Sequence, residues 1–141
     1  MLRIVLDANI YISALIKNNG VAHRLFQNNR KNPQFIFIIS DVIIDELKRV
    51  LGYPKVRKLI KLNDEEIEEY ISCLKIEGEY VDPPIKLEVV KNDKSDNIYF
   101  EAAVTSKANY IVSGDNHLLV LKNYEGISIL TLKDFYDMLP Y

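Results

Sequence analysis

The chain has 141 residues, of which 48% are hydrophobic and 27% are charged, a composition typical of a globular domain with a substantial core. No apolar run approaches the roughly 20 residues that a membrane-spanning helix needs. The first predicted strand begins within two residues of Met1, which leaves no room for a signal peptide, and the lone Cys73 excludes an internal disulfide. We therefore expect a single domain over residues 1–141 that is located in the cytoplasm and does not enter a membrane.

The net charge of −2 hides an uneven distribution of charge along the chain. Residues 1–61 contain 11 Lys and Arg and four acids, whereas residues 62–141 contain seven Lys and Arg and 16 acids. Six bases and no acid lie between Lys48 and Lys61. This split favours a partner that carries phosphates, although solvated helix faces would produce the same pattern.

Strands and helices alternate in the hydrophobic pattern. In chain order, the pattern predicts a strand at 3–7, helices at 9–17 and 21–27, a strand at 35–39, helices at 42–51, 55–61 and 65–77, an ambiguous strand at 87–90, a helix at 96–107, a strand at 110–113, a helix at 117–121, a strand at 127–130 and a helix at 131–139. The continuous apolar runs suit strands that are covered on both faces. This alternation indicates an α/β domain with a central parallel sheet.

Two acids directly follow predicted buried strands. Asp7 stands where the first strand stops, and Asp115 follows the strand at 110–113 after Gly114, which would allow a tight turn. In open parallel sheets, ligands bind beyond the carboxyl ends of the strands, so both acids are candidate ligands of a cation. Asp115 could instead be a turn residue that bonds its own backbone.

The apolar stripe of the helix after the second strand sets the direction of its acids. The stripe centres near Ile43 and Leu47, so Glu46 lies about 80° from the centre, at the edge, and Asp45 lies on the opposite side. A long side chain at the edge can reach into a crevice. Glu46 could equally be a surface acid that pairs with a neighbouring base such as Arg49.

Asp96 opens the helix that precedes the strand at 110–113. On its own it could be a simple N-cap, as could Ser95 before it. Asp93 stands in a polar, basic run that is typical of an exposed loop. We therefore favour Asp96 as a metal ligand and Asp93 as a residue that supports the ligand or belongs to the loop.

Asp7, Asp96 and Asp115 all fall at strand ends or helix starts on one rim of the predicted sheet. Carboxylates within several ångströms of one another raise each other's pKa values, and a divalent cation removes this repulsion. Oxygen ligands favour Mg²⁺ or Mn²⁺ over Zn²⁺, and neither His23 nor His117 has the spacing of a zinc site. We therefore expect a Mg²⁺ or Mn²⁺ site, with His117 as a surface or helix-start residue.

Several stretches of the chain resemble the PIN-domain family, in particular the PIN-type toxins of prokaryotic toxin–antitoxin systems. They are residues 5–9, 40–47, 93–97 and 108–115, together with the end of the chain at 126–130 and 134–135. The likeness follows nearly the whole chain in the right order. One departure is that the family's third acidic motif often has two adjacent acids, whereas Ser95 precedes Asp96 here.

The resemblance implies a three-layer α/β/α sandwich with a central, mainly parallel sheet of about five strands. It implies a pocket that binds Mg²⁺ or Mn²⁺ and cleaves RNA. By the same resemblance, the family's acids correspond to Asp7, Glu46, Asp96 and Asp115. The family's small polar residues correspond to Asn9 and Ser113. It also implies homodimers and, for toxin members, inhibition by a small antitoxin protein.

The resulting hypothesis is a metal-dependent endoribonuclease, a hydrolase that is the toxin of a toxin–antitoxin pair. Asp7, Asp96 and Asp115 would bind the metal, while Glu46 would bind a second ion or orient the attacking water. RNA would be held by the basic segment, through Lys48, Arg49, Tyr53, Lys55, Arg57, Lys58 and Lys61.

Two other readings of the same residues stay open. The first is a non-catalytic module that binds RNA or a partner protein, in which the acids only cap helices and face solvent. The second is a phosphoryl-transfer domain with Asp7 as nucleophile or phosphoacceptor, although Asn9 occupies the position where such a phosphatase usually has a second acid.

Overall fold

A computed structural model describes residues 1–16, 19–84, 86–90 and 94–141, apart from the side chains at 94 and 95. The strands are β1 (Leu2–Leu6), β2 (Phe35–Ile39), β3 (Glu79–Tyr80), β4 (Tyr110–Val112), β5 (Asn123–Tyr124) and β6 (Ile127–Leu130). The helices are α1 (Ala8–Ile16), α2 (Val21–Lys31), α3 (Asp41–Leu51), α4 (Pro54–Ile60), α5 (Asp64–Glu77), α6 (Lys94–Ser106), α7 (Asn116–Leu119) and α8 (Leu132–Asp137). None of these helices has the length and apolar content needed to cross a membrane.

The strands form one six-stranded sheet in the order β3-β2-β1-β4-β6-β5. All neighbouring pairs are parallel except β5 and β6. The strand order reverses between β1 and β4, so the crevice beyond their carboxyl ends is the switch point at which such sheets bind ligands. Leu6 lies opposite Val112 at this edge, and Asp7 and Ser113 therefore leave the sheet side by side.

Alternate residues of β1 belong to different hydrophobic clusters. Ile4 and Leu6 join a cluster that includes side chains of α1, α2, α4, α5 and α8, whereas Val5 joins a second cluster with α6 and α7. Helix α3 contributes Ile44 to the first cluster and Ile43 to the second. Helices thus cover both faces of the sheet, which confirms the three-layer sandwich and explains why β1 is apolar except at Arg3.

The sheet has six strands and not about five, because β3 and β5 are two-residue strands that no apolar run marks. The strand predicted at 87–90 is wrong. The backbone N–H groups of Leu87 and Val90 donate to α6 side chains, namely Glu101 Oε2 at 2.9 Å and Asn97 Oδ1 at 2.7 Å. These side chains take the place of a neighbouring strand as hydrogen-bond partners.

Some element boundaries also differ from the prediction. Helix α2 continues to Lys31 and does not end at Gln27. Helix α6 begins at Lys94, so Asp96 lies within its first turn and the prediction of Asp96 or Ser95 as N-cap is wrong. The predicted end of the first helix at 17 and the loop candidate Asp93 lie outside the described residues.

Candidate metal centre

Asp7 lies directly beyond β1 and is almost completely buried, with 4% of its surface exposed. Its Oδ1 accepts the backbone N–H groups of Asn9 at 2.8 Å and Ile10 at 3.3 Å at the start of α1. Its Oδ2 accepts the hydroxyl of Ser113 and the N–H of Gly114, the latter at 3.3 Å. Donors from the ends of both β1 and β4 therefore fix this carboxylate in one orientation.

Burial raises the pKa of the Asp7 carboxyl above its ordinary value, while the hydrogen bonds from Ser113 and from three backbone N–H groups oppose this shift. A raised pKa means that the protein destabilises the charged carboxylate relative to water. A cation beside the carboxylate acts in the opposite direction and favours the charged form. The pKa shift of Asp7 is thus consistent with a group that is completed by a metal ion.

Ser113 links Asp7 to Asp115. It is fully buried, its hydroxyl donates to Asp7 Oδ2, and its Oγ accepts the N–H of Asp115 at 3.0 Å. Asp115 Oδ1 accepts the N–H of His117 at 2.8 Å and caps α7. One of its two carboxylate oxygens thus bonds the local backbone, as the turn hypothesis proposed. Gly114 does not have a positive φ, so the turn does not depend on the freedom of a glycine.

Asp96 reaches the same cleft from α6, which packs in one hydrophobic cluster with α7. It lies in the first turn of α6 and is 7% exposed. A carboxylate oxygen of Asp96, a carboxylate oxygen of Asp115 and a ring nitrogen of His117 lie within 4.8 Å of one another. This spacing is compatible with shared coordination of one ion.

Glu46 faces the cleft from α3, while Asp45 is exposed, as the helical phase predicts. The Glu46 side chain is 18% exposed and forms two contacts with Arg49, from Nη2 at 2.5 Å and from Nε at 3.1 Å. Arg49 also donates to the hydroxyl of Tyr53 and lies over its ring, 5.4 Å from the centroid. Glu46 is therefore at once a cleft residue and the partner of a neighbouring base.

A cleft of about 160 Å³ at the carboxyl edge of β1 and β4 brings the four predicted acids together. It is lined by Asp7, Ala8, Asn9, Glu46, Val50, Asp96, Tyr99 and Asp115. Asn9 is exposed at this edge and Ser113 lies buried beneath it, so both predicted small polar residues are adjacent to the acids.

Tyr99 and His117 are two residues of this region that the sequence did not mark as functional. The hydroxyl of Tyr99 accepts the N–H of Ala8 at 3.0 Å, and burial, with the nearby acids, raises the pKa of its phenol. Tyr99 thus stays protonated and can donate towards the cleft. For Tyr99 the available signal was spacing, because it lies one turn after Asp96 on α6. His117, two residues after Asp115, had no such signal.

The donor set of the cleft fits a hard divalent cation. Four carboxylates supply oxygen ligands, and the described lining contains no Lys or Arg that could neutralise them from within. Arg49 contacts only Glu46 among these acids, and it does so with a side chain that is 54% exposed. The described lining therefore offers the oxygen ligands that Mg²⁺ and Mn²⁺ bind. Among the described residues, the ligand atoms close enough to share one ion belong to Asp96, Asp115 and His117.

The predicted RNA-binding segment runs from the second half of α3 through α4. Lys48, Lys55, Lys58 and Lys61 are exposed. Arg57 is partly buried and pairs with Asp64 at 2.7 Å, a contact that was not predicted. Arg49 links this segment to the cleft, because its guanidinium pairs with Glu46.

The comparisons with known proteins agree with this geometry. The family model for the PIN domain matches residues 3–117. The chain is 27% identical over 122 residues to the uncharacterized protein MJ1680 of Methanocaldococcus jannaschii. The matched region covers 86% of this chain and 76% of that protein.

Two solved structures share the fold. One is PAE2754 from Pyrobaculum aerophilum, with a TM-score of 0.63 and 13% identity over 97% of this chain and 88% of that chain. The other is VapBC2 from Rickettsia felis bound to a DNA fragment from their promoter, with a TM-score of 0.61 and 16% identity over 92% of this chain and 98% of that chain.

Proposed function

The chain belongs to the PIN domain family, and from this premise we propose that it is a Mg²⁺- or Mn²⁺-dependent endoribonuclease, the toxin of a toxin–antitoxin pair. One observation carries the proposal: Asp7, Glu46, Asp96 and Asp115 converge on one cleft at the switch point of the sheet. Repulsion among four acids at this position opposes folding, so a purely structural role does not account for them. The same four acids suit cation-dependent chemistry on a phosphodiester.

In this proposal Asp7, Asp96 and Asp115 hold the metal ion, and Glu46 holds a second ion or orients the attacking water. The bound ion would lower the pKa of a water molecule and stabilise charge on the phosphate. Ser113 and the N–H groups at the start of α1 keep Asp7 in position. Asn9, exposed at the cleft edge, would donate a hydrogen bond that helps to fix the carboxylates.

The proposed substrate is RNA, held by the exposed lysines of α3 and α4 and by Tyr53. Phosphate contacts from Lys48, Lys55 and Lys58 would set affinity, and the ring of Tyr53, which is 42% exposed, could stack on a splayed base. Arg49, Arg57 and Lys61 complete the proposed RNA-binding segment. Arg57 could join only by leaving Asp64.

The partners and the location are also proposals. An antitoxin protein and a homodimer are included because the motifs of the chain resemble those of PIN-type toxins. Cytoplasmic action agrees with the free, exposed Cys73, since exposed thiols persist in a reducing compartment. Size measurements on the purified protein, alone and with the product of a neighbouring gene, would test both partners.

The decisive experiment is incubation of purified protein with a labelled RNA pool, in Mn²⁺, in Mg²⁺ or in EDTA. We expect cleavage with either ion, none in EDTA, and products with 5′-phosphate and 3′-hydroxyl ends. Asp115→Asn should remove cleavage, and Asp45→Asn is the matched control because Asp45 is an exposed acid of α3 outside the cleft.

The same experiment separates the alternatives. A binding module would retain RNA without cutting it in any of the three conditions. A phosphoryl-transfer domain would leave RNA intact and would become phosphorylated on Asp7, which mass spectrometry detects. Either result would overturn the nuclease proposal.

A further inference from the structure

His117 brings a ring nitrogen beside the carboxylates of the described cleft region. A ring nitrogen of His117 and one carboxylate oxygen each from Asp96 and Asp115 lie within 4.8 Å of one another. The two acids were predicted as ligands from the sequence, whereas His117 was expected to be only a surface or helix-start residue. It is exposed and does stand at the start of α7, but its ring also meets the proposed metal position.

The turn that positions Asp115 also positions His117. The backbone N–H of His117 donates to Asp115 Oδ1 at 2.8 Å, and the N–H groups of Leu118 and Leu119 donate to the carbonyl of Asp115 at 3.0 Å. Leu118, the next residue, is completely buried in the cluster under α6. The backbone of His117 is therefore held by its neighbours, and its exposed ring lies beside the Asp96 and Asp115 carboxylates.

We infer that His117 is a further protein ligand beside Asp96 and Asp115 and that it makes the site prefer Mn²⁺ to Mg²⁺. This inference rests on the proposed function, because it concerns the ion of that same cleft. Imidazole is a good ligand for transition metals, whereas Mg²⁺ selects oxygen and readily keeps water in place of a protein ligand. A site with aspartates alone would distinguish the two ions less.

The first measurement is a calorimetric titration of Mn²⁺ and of Mg²⁺ into the RNA-free protein. For His117→Gln we expect Mn²⁺ affinity to fall by roughly tenfold or more and Mg²⁺ affinity by no more than about twofold. His23→Gln is the matched control, because His23 is the only other histidine and lies on α2. Equal losses for both ions, or no loss for either, would overturn the inference.

The second measurement observes the ring itself. Zn²⁺ serves as a diamagnetic probe, and the ring ¹⁵N signals of the two histidines are followed by NMR during its titration. We expect a large shift of one His117 ring nitrogen at one equivalent of Zn²⁺ and little change at His23. A titration in which the His117 ring does not respond while Zn²⁺ binds would show that another group completes the site.

These outcomes are distinguishable from failure of the proposed function. If the wild-type protein cleaves RNA and binds both ions but His117→Gln keeps the same Mn²⁺-to-Mg²⁺ ratio, only the ligand assignment is wrong. If the wild-type protein binds neither ion, the proposed nuclease and the assignment of His117 are both wrong.

Discussion

The two walls of the cleft hold their carboxylates by different means. On the sheet wall, formed by Asp7, Ser113 and Asp115, the buried carboxylate of Asp7 accepts hydrogen bonds from backbone N–H groups and a buried hydroxyl. On the helix wall, formed by Glu46, Arg49 and Tyr53, Glu46 is held by an arginine whose side chain is 54% exposed. The first arrangement is part of the fold, and the second can exchange with solvent or with a bound phosphate.

This difference separates preorganisation from adaptability within one site. Asp7 is held by N–H groups of α1 and Gly114 and by the buried hydroxyl of Ser113, so we expect it to keep its position whether or not an ion is bound. An exposed ion pair contributes little to stability, so Arg49 can leave Glu46 at small cost. We therefore expect substitutions in the sheet wall to change the cleavage rate. Substitutions in the helix wall should also change the affinity for RNA and for the metal ion.

The largest expected effect comes from Asp7→Asn. We expect cleavage to fall by roughly 1,000-fold, because loss of a proposed metal ligand would remove several kcal/mol of transition-state stabilisation and each 1.4 kcal/mol is tenfold in rate. The free energy of unfolding without metal should change by no more than about 1 kcal/mol, since an amide keeps one acceptor and loses the cost of a buried charge. Single-turnover kinetics and chemical denaturation in EDTA measure the two quantities.

The pH dependence of stability provides the control for this variant. Burial raises the pKa of Asp7 in the folded state above its ordinary value of 3.8, which applies to the unfolded chain. At a pH between the unfolded and the folded pKa, Asp7 is therefore charged in the unfolded chain and still protonated in the folded one. The stability of the metal-free wild type relative to Asp7→Asn should therefore be highest at low pH and should fall as pH rises through that interval. A relative stability that rises with pH would mean that the hydrogen bonds outweigh burial.

Glu46→Gln is expected to reduce the rate by about 100-fold, the usual scale for loss of an acid–base group. Asp45→Asn, the exposed neighbour on α3, should stay near the wild-type rate. Rate measurements at saturating RNA test the pair. Similar losses in both variants would refute the assignment of Glu46 to the cleft chemistry.

Asp96→Asn tests the carboxylate that α6 brings to the cleft beside the two walls. We expect Mn²⁺ affinity to fall by roughly tenfold or more, with a smaller loss for Asp93→Asn. Asp96 lines the cleft, while Asp93 lies outside the described residues, so the comparison still depends on the sequence context of Asp93. Calorimetry without RNA is the measurement, and the reverse order would identify Asp93 as the ligand.

A smaller effect is expected from replacing Lys55, Arg57 and Lys58 together with Gln. Each phosphate contact on a single strand contributes about 0.7 to the slope of log affinity against log salt, so the slope should decrease by up to about 2. Because Arg57 is paired with Asp64, we expect the salt slope to decrease by an amount closer to two lost contacts than to three. Binding is followed by fluorescence anisotropy at several salt concentrations, with Lys133→Gln on α8 as the control. An unchanged slope would place the RNA elsewhere.

The smallest effect is expected from Arg49→Met. Without its partner, Glu46 is free to approach a cation, and Mn²⁺ affinity should rise by roughly two- to fivefold, the usual range for an exposed ion pair. RNA affinity should fall, with a salt slope lower by about 0.7. Opposite changes in the two affinities would support an exchangeable helix wall. Loss of metal affinity would instead show that Arg49 positions Glu46 for binding.

Much of the site could be predicted from local pattern. Continuous apolar runs marked β1, β2, β4 and β6, and the acids that follow β1 and β4 necessarily meet because parallel strands end at one edge. The phase of the apolar stripe on α3 separated Glu46 from Asp45, because side-chain direction on a helix depends only on spacing. These features were therefore determined by the sequence itself.

Only the tertiary structure determined the contacts between residues that are distant in the sequence. The hydroxyl of Tyr99 reaches the N–H of Ala8, and the ring of His117 approaches the carboxylate of Asp96, although both pairs are far apart in sequence. The short edge strands β3 and β5 exist because a neighbouring strand pairs with them, and their own residues show no apolar run. Such contacts depend on how elements pack, and packing is set by long-range geometry that no local window of residues contains.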